Sequence, residues 1–149
     1  MHLAIDIATK NVENGGGPFG AVIVKDNEII SQSFNTVTTS NDPTAHAEIN
    51  AIRKACKAME TFDLSGCEIY SSCEPCPMCL SAIYWARIEK IYFAADRYDA
   101  SNVGFNDSFI YNELSLPISE RKIPIENLMK EEGQEPFELW RKSTIKIEY

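Results

Sequence analysis

Two short segments constrain this chain more than anything else in it: His46-Ala47-Glu48 and, further on, Pro75-Cys76-Pro77-Met78-Cys79. Cys76 and Cys79 are three apart, so on the first turn of a helix their sulfurs sit side by side. The positive end of a helix dipole favours the thiolate that a metal needs. His46 supplies a third donor. Three protein ligands leave one position of a tetrahedral zinc open for water, which separates a catalytic site from a closed structural one. Such a water ionises near pH 7, against about 16 in bulk. Glu48 is the adjacent group able to carry protons. Geometry sets one condition. Residues two apart lie about 200° around a helix, so His46 and Glu48 cannot share one side face. They converge only if a helix opened by Asp42-Pro43 points its first turn end-on into the site.

Two plainer uses of the same residues compete. A C-x-x-C pair also serves redox chemistry. A purely structural zinc site needs a fourth ligand, for which Cys73, Cys67, Cys56 and His2 are the candidates, and it has no use for Glu48. Cys56 and Cys67 read more simply as buried thiols. Five cysteines cannot all pair within one chain, and the N-terminus lacks the basic start of an export signal. The expected compartment is therefore the cytoplasm, where thiols bind metals rather than form disulfides.

The rest of the sequence supplies a scaffold. Residues 2–14 read as a helix with Leu3, Ile7, Ala8 and Val12 on one side, stopped by Gly15-Gly16-Gly17-Pro18. That glycine run is no phosphate loop, which needs a strand before it and a helix after it; here it reads as a turn that lets backbone approach a ligand. Residues 21–25 and 28–34 read as strands joined by Asp26-Asn27. Residues 35–41 read as loop. The helix from Asp42-Pro43 carries Ile49, Ile52, Cys56 and Met59, and a second helix spans 77–87 with Leu80, Ile83 and Tyr84 inward. Residues 68–71 and 91–94 read as further strands, 123–128 as another, and 136–142 as a terminal helix. Alternating strands and helices predict helices packed on a sheet, in one domain of 149 residues. A net charge of −8 argues against nucleic acid as the partner and for a small substrate. No stretch approaches a membrane span.

H-x-E followed by P-C-x-x-C is the signature of zinc deaminases. The likeness extends further. Residues 35–48, Asn35 through Thr44-Ala45-His46-Ala47-Glu48, together with Ser72-Cys73-Glu74-Pro75-Cys76-Pro77-Met78-Cys79, Ala82-Ile83-Tyr84-Trp85-Ala86-Arg87 and Asp107-Ser108-Phe109-Ile110-Tyr111, resemble the bacterial guanine deaminases of the cytidine deaminase-like superfamily. The zinc motifs are shared across that superfamily; the Asp107 segment and the tail point to guanine. The resemblance implies a three-layer α/β/α fold with a five-stranded mixed sheet. It implies one zinc ion per subunit, held by His46, Cys76 and Cys79, with Glu48 as the proton carrier. It implies that Asn35 and the Ala47 backbone hydrogen-bond a purine base, that Phe19 and Trp85 line the pocket, and that Asp107 meets the 2-amino group and helps move protons. It implies homodimers in which each C-terminal segment crosses over, so that Tyr149 closes the partner's site. On the residues alone, Asn35 also reads as a strand end, Phe19 and Trp85 as core, and Asp107 as a cap for a helix at Ser108. Another base or nucleoside as substrate (cytosine, a purine nucleoside, adenosine in tRNA) and a non-catalytic zinc module remain the alternatives.

Overall fold

A computed structural model describes residues 1–149. Helix α1 (His2–Glu13) ends at the glycine run, as the sequence predicts. Its buried positions are Ala4, Ala8 and Asn11, whereas Val12 is 50% exposed. The inward stripe is therefore rotated from the expected one, towards small residues that let the helix lie close to the sheet.

Strands β1 (Gly20–Lys25) and β2 (Glu28–Phe34) form the expected antiparallel hairpin. Asp26 and Asn27 turn it with φ of 49° and 64°, the left-handed pair that suits a two-residue connection. A short helix, α2 (Val37–Ser40), occupies part of the expected loop. Next come α3 (Ala47–Met59), β3 (Cys67–Cys73), α4 (Pro77–Trp85), β4 (Lys90–Ala95) and α5 (Arg97–Asn102).

The sheet order is β2-β1-β3-β4, with β1 antiparallel to both neighbours and β3 parallel to β4. Four strands are present, not the expected five. Residues 123–128, expected as a strand, are irregular. Pro124 removes a ladder donor there, and an alternating pattern becomes a strand only where an edge accepts it.

Side-chain alternation along β1 assigns the two faces of the sheet. Ala21 and Ile23 join a core with Ala47, Ala51 and Ala55 of α3 and Ile83 of α4. Gly20 points the other way, against α1. Helices thus cover both faces, and Ile23, Leu64, Ile69 and Ile83 are fully buried between sheet and α3–α4. A Cβ on Gly20 would fall on the Ala4 carbonyl oxygen and 2.9 Å from the Ala8 nitrogen. Both obstacles are backbone, so Gly20→Ala must push α1 off the sheet. The expected loss is about 1–3 kcal/mol of unfolding free energy, read as a lower urea midpoint by circular dichroism.

By contact the chain forms two compact units, Met1–Asp107 and Ser108–Tyr149. The second holds α6 (Ser108–Ser115), two single turns of 3-10 helix and α7 (Glu135–Lys142), near the predicted terminal helix. No helix of the chain is long and apolar enough to cross a membrane.

Candidate metal centre

The N-termini of α3 and α4 meet at one point, as the motif spacing requires, but α3 begins later than expected. Asp42 does not cap it. Its carboxylate accepts from the backbone N–H and hydroxyl of Thr44, closing a tight turn, and these bonds hold its pKa below the usual carboxylate value. The helix starts at Ala47, and His46 is its N-cap, with φ −67° and ψ 159°. His46 is therefore extended, outside the helix, and the 200° separation expected of two helical residues does not apply. The ring of His46 and the carboxylate of Glu48 converge because the chain bends between them. Cys76 repeats the arrangement as the N-cap of α4, with φ −63° and ψ 168°, and Pro77 opens that helix.

His46 Nδ1 lies 3.6 Å from Cys76 Sγ and 3.5 Å from Cys79 Sγ. Zinc–nitrogen bonds of about 2.0–2.1 Å and zinc–sulfur bonds of about 2.3 Å, at a tetrahedral angle, place N and S about 3.6 Å apart. His46 Nδ1 thus already stands from each sulfur at the separation that zinc imposes. Cys73 does not join them: its sulfur faces the Asp96 carbonyl oxygen at 3.5 Å, and burial raises its pKa to about 11. Cys56 and Cys67 lie in or against the core with thiols pushed up by burial. The donor set is His46, Cys76 and Cys79, with all donor atoms within 4.8 Å of one another.

The charges fit the same use. Cys76 is pulled down to about 4, first by the hydrogen bond with Cys79 and then by His46, so it is a thiolate at neutral pH. Cys79 keeps the proton that this pair shares and is pushed up accordingly. The thiolate in turn raises His46. Glu48 is 6% exposed, and burial holds its pKa above the usual value. Its Oε1 accepts from Ser71 Oγ at 3.1 Å and its Oε2 from Cys79 Sγ at 3.4 Å. Ser71 was not singled out from sequence. Its signal was a hydroxyl at an inward position of β3, where the neighbouring inward residues Cys67 and Ile69 are core.

The remaining predicted residues divide. Asp107 lies near enough that the Cys76 thiolate acts on it; burial first, then that charge, raises its pKa. Asn35 directly follows β2, and its Oδ1 accepts from the Val37 N–H at 3.2 Å. Phe19 packs against the core and meets Phe105 edge to face, with 4.9 Å between ring centres. Ala47 is fully buried at the start of α3. Trp85, at the end of α4, is 69% exposed and is not core; Tyr149, in the second unit, is 74% exposed.

Comparison with known proteins agrees with this geometry. Residues 1–95 match the cytidine and deoxycytidylate deaminase zinc-binding region. The chain is 54% identical to the guanine deaminase of Bacillus subtilis over 98% of its own length and 94% of that protein's. The X-ray structure of a B. subtilis guanine deaminase superposes with a TM-score of 0.96, at 54% identity, covering 99% of this chain and 95% of the other. A tRNA-specific adenosine deaminase of Aquifex aeolicus is 40% identical over 91% of this chain and 87% of its own. The chain belongs to the cytidine and deoxycytidylate deaminase family of zinc-dependent aminohydrolases.

Proposed function

We propose that the chain catalyses the hydrolytic deamination of guanine, in which guanine and water give xanthine and ammonia. The observation that carries this is the joint one: a three-donor metal centre beside a buried carboxylate, in a chain 54% identical to a guanine deaminase over 98% of its length. His46, Cys76 and Cys79 are the ligands of one zinc ion. When bound, zinc supplies a Lewis acid that eases the deprotonation of water.

The chain's own groups do the rest. Glu48 takes one proton from the attacking water and delivers it to the ring nitrogen beside the reacting carbon; it then moves the remaining proton of the added hydroxyl to the amine, which leaves as ammonia as the carbonyl forms. A ligating Cys79 has no proton to donate, so Oε2 of Glu48 is the oxygen left available, while Oε1 stays anchored to Ser71. Its raised pKa suits both halves of the transfer. Asn35 binds the base through its side-chain amide, which the Val37 N–H orients by donating to Oδ1 at 3.2 Å. The first N–H of α3, at Ala47, has no partner within the helix and is offered to the base. Phe19 and Trp85 stack on or flank the ring. Asp107 accepts from the ring N–H and the 2-amino group, an edge with two donors that a carboxylate matches better than an amide.

The C-terminal unit completes the site in a homodimer, with Tyr149 covering the partner's pocket. Supporting this, Leu128, Phe137, Leu139 and Ile145 are exposed by 79%, 74%, 71% and 89%, an amount of apolar surface that calls for a covering chain.

Asp107→Ala is expected to lower kcat/KM for guanine about a hundredfold while sparing any activity on cytosine, which lacks that donor edge. Equal losses on both bases would remove Asp107 from the recognition of guanine. A panel of bases, nucleosides and tRNA, followed by ammonia release, tests the substrate itself. Faster release from anything but guanine overturns the assignment, and the net charge of −8 makes tRNA the least suited member.

A further inference from the structure

Asn11 is a buried polar residue that neither the metal centre nor the core explains. It is 8% exposed, on the inward face of α1 with Ala4 and Ala8. A buried amide must place its hydrogens, and this one places both. Asn11 Nδ2 donates to the Gly17 carbonyl at 2.8 Å and to the Asn35 carbonyl at 3.0 Å. Those carbonyls belong to one closed run of hydrogen bonds. Gly17 O also accepts from the Phe19 N–H at 2.8 Å, and Phe19 O accepts from the Asn35 N–H at 3.1 Å. The Asn11 backbone carbonyl in turn accepts from the Gly16 N–H at 2.8 Å. One side chain thus ties the end of α1 to the backbone of Gly17 and Asn35, and through Gly17 to Phe19.

The glycines around it are shaped to this amide. A Cβ on Gly16 would sit 2.5 Å from both Asn11 Nδ2 and Oδ1. A Cβ on Gly17 would touch Asn35 Oδ1 and Phe19 Cδ2, each at 3.4 Å. Gly16 carries no positive φ, so what requires glycine there is the Asn11 side chain rather than the backbone.

We infer that Asn11 is a positioning residue for base recognition: it fixes the Gly17–Phe19 turn and the Asn35 peptide so that the Asn35 amide meets the substrate, and Gly16 is glycine to admit it. The inference rests on the reading of Asn35 as a base contact. Asn11 touches no reacting group, so its removal should weaken binding more than chemistry.

The test uses the zinc-loaded full-length chain with guanine, comparing Asn11→Ala, Gly16→Ala, Asn35→Ala and the double variant Asn11→Ala/Asn35→Ala. Zinc content and thermal midpoint are measured on each. Asn11→Ala is expected to raise KM about tenfold, the scale of one or two lost hydrogen bonds, with kcat changed far less. Gly16→Ala, which leaves the Asn11 donors intact but displaces them, should reproduce that KM. The double variant should be no weaker than Asn35→Ala alone, because the first residue acts through the second. Losses that multiply in the double variant, or a lowered melting point with unchanged KM in both Asn11→Ala and Gly16→Ala, overturn the inference. A wild-type chain that releases no ammonia from guanine overturns the substrate reading instead, and the two failures are read from different rows of the same experiment.

Discussion

Replacing Glu48 by glutamine is expected to lower kcat for guanine by about 10³- to 10⁴-fold while zinc remains bound at one equivalent. Glutamine keeps the shape and keeps an oxygen for Ser71, whose hydroxyl donates to Oε1 at 3.1 Å. It cannot take a proton and pass it on. The metal donors, His46, Cys76 and Cys79, are untouched, so metal content measured by atomic absorption should not change. Stability should move the other way from activity. Burial raises the pKa of Glu48 in the folded chain. A group raised in this way favours folding when protonated, and that contribution is lost as pH rises through the raised value. Once pH has passed that raised value, the metal-free wild-type chain carries the cost of a buried carboxylate. The amide does not, so metal-free Glu48→Gln should melt no lower than the metal-free wild type at pH 7, with a shallower decline towards higher pH. Turnover retained within tenfold of wild type would remove Glu48 from the proton path.

The chemistry of the site was legible in the sequence because ligand type and spacing are local. P-C-x-x-C fixes two sulfurs on one helical turn, and the three donor atoms do cluster within 4.8 Å. The path of the chain through the site was less legible. Asp42-Pro43 has the composition of a helix start, but Asp42 finds Thr44 first, and the competing local turn delays the helix to Ala47. That delay is what lets His46 and Glu48 converge. Asn11 escaped notice because an asparagine in an amphipathic helix reads as part of the wet face. Its spacing, seven residues beyond Ala4 and three beyond Ala8, was the signal that it faced inward. The fifth strand failed for a different reason: alternation at Ile123 and Ile125 is a local pattern, whereas a strand needs a partner that no local pattern supplies. Trp85 shows the same limit, since its exposure depends on what lies outside its own helix.

Stripping zinc with a chelator is expected to abolish ammonia release while leaving the chain folded, and adding zinc back should restore activity. The two properties separate because the core does not run through the metal. Ile23, Leu64, Ile69 and Ile83 are fully buried, and β1, β2 and β3 are paired along their lengths without any ligand among them. The donors also satisfy one another when the metal is gone. The Cys76 thiolate is held by Cys79 and His46, and Cys79 also reaches Glu48 at 3.4 Å. A metal present at a thousand times its Kd stabilises the folded state by about 4 kcal/mol, so the melting point should drop on chelation and cooperative unfolding should persist. A zinc-stabilised binding module makes the opposite forecast. In such a domain the metal is the fold, and its removal leaves an unfolded chain with no thermal transition. Circular dichroism melts with and without chelator therefore decide between the two. Survival of a cooperative melt together with total, zinc-reversible loss of turnover is the outcome that three ligands and an open fourth position require.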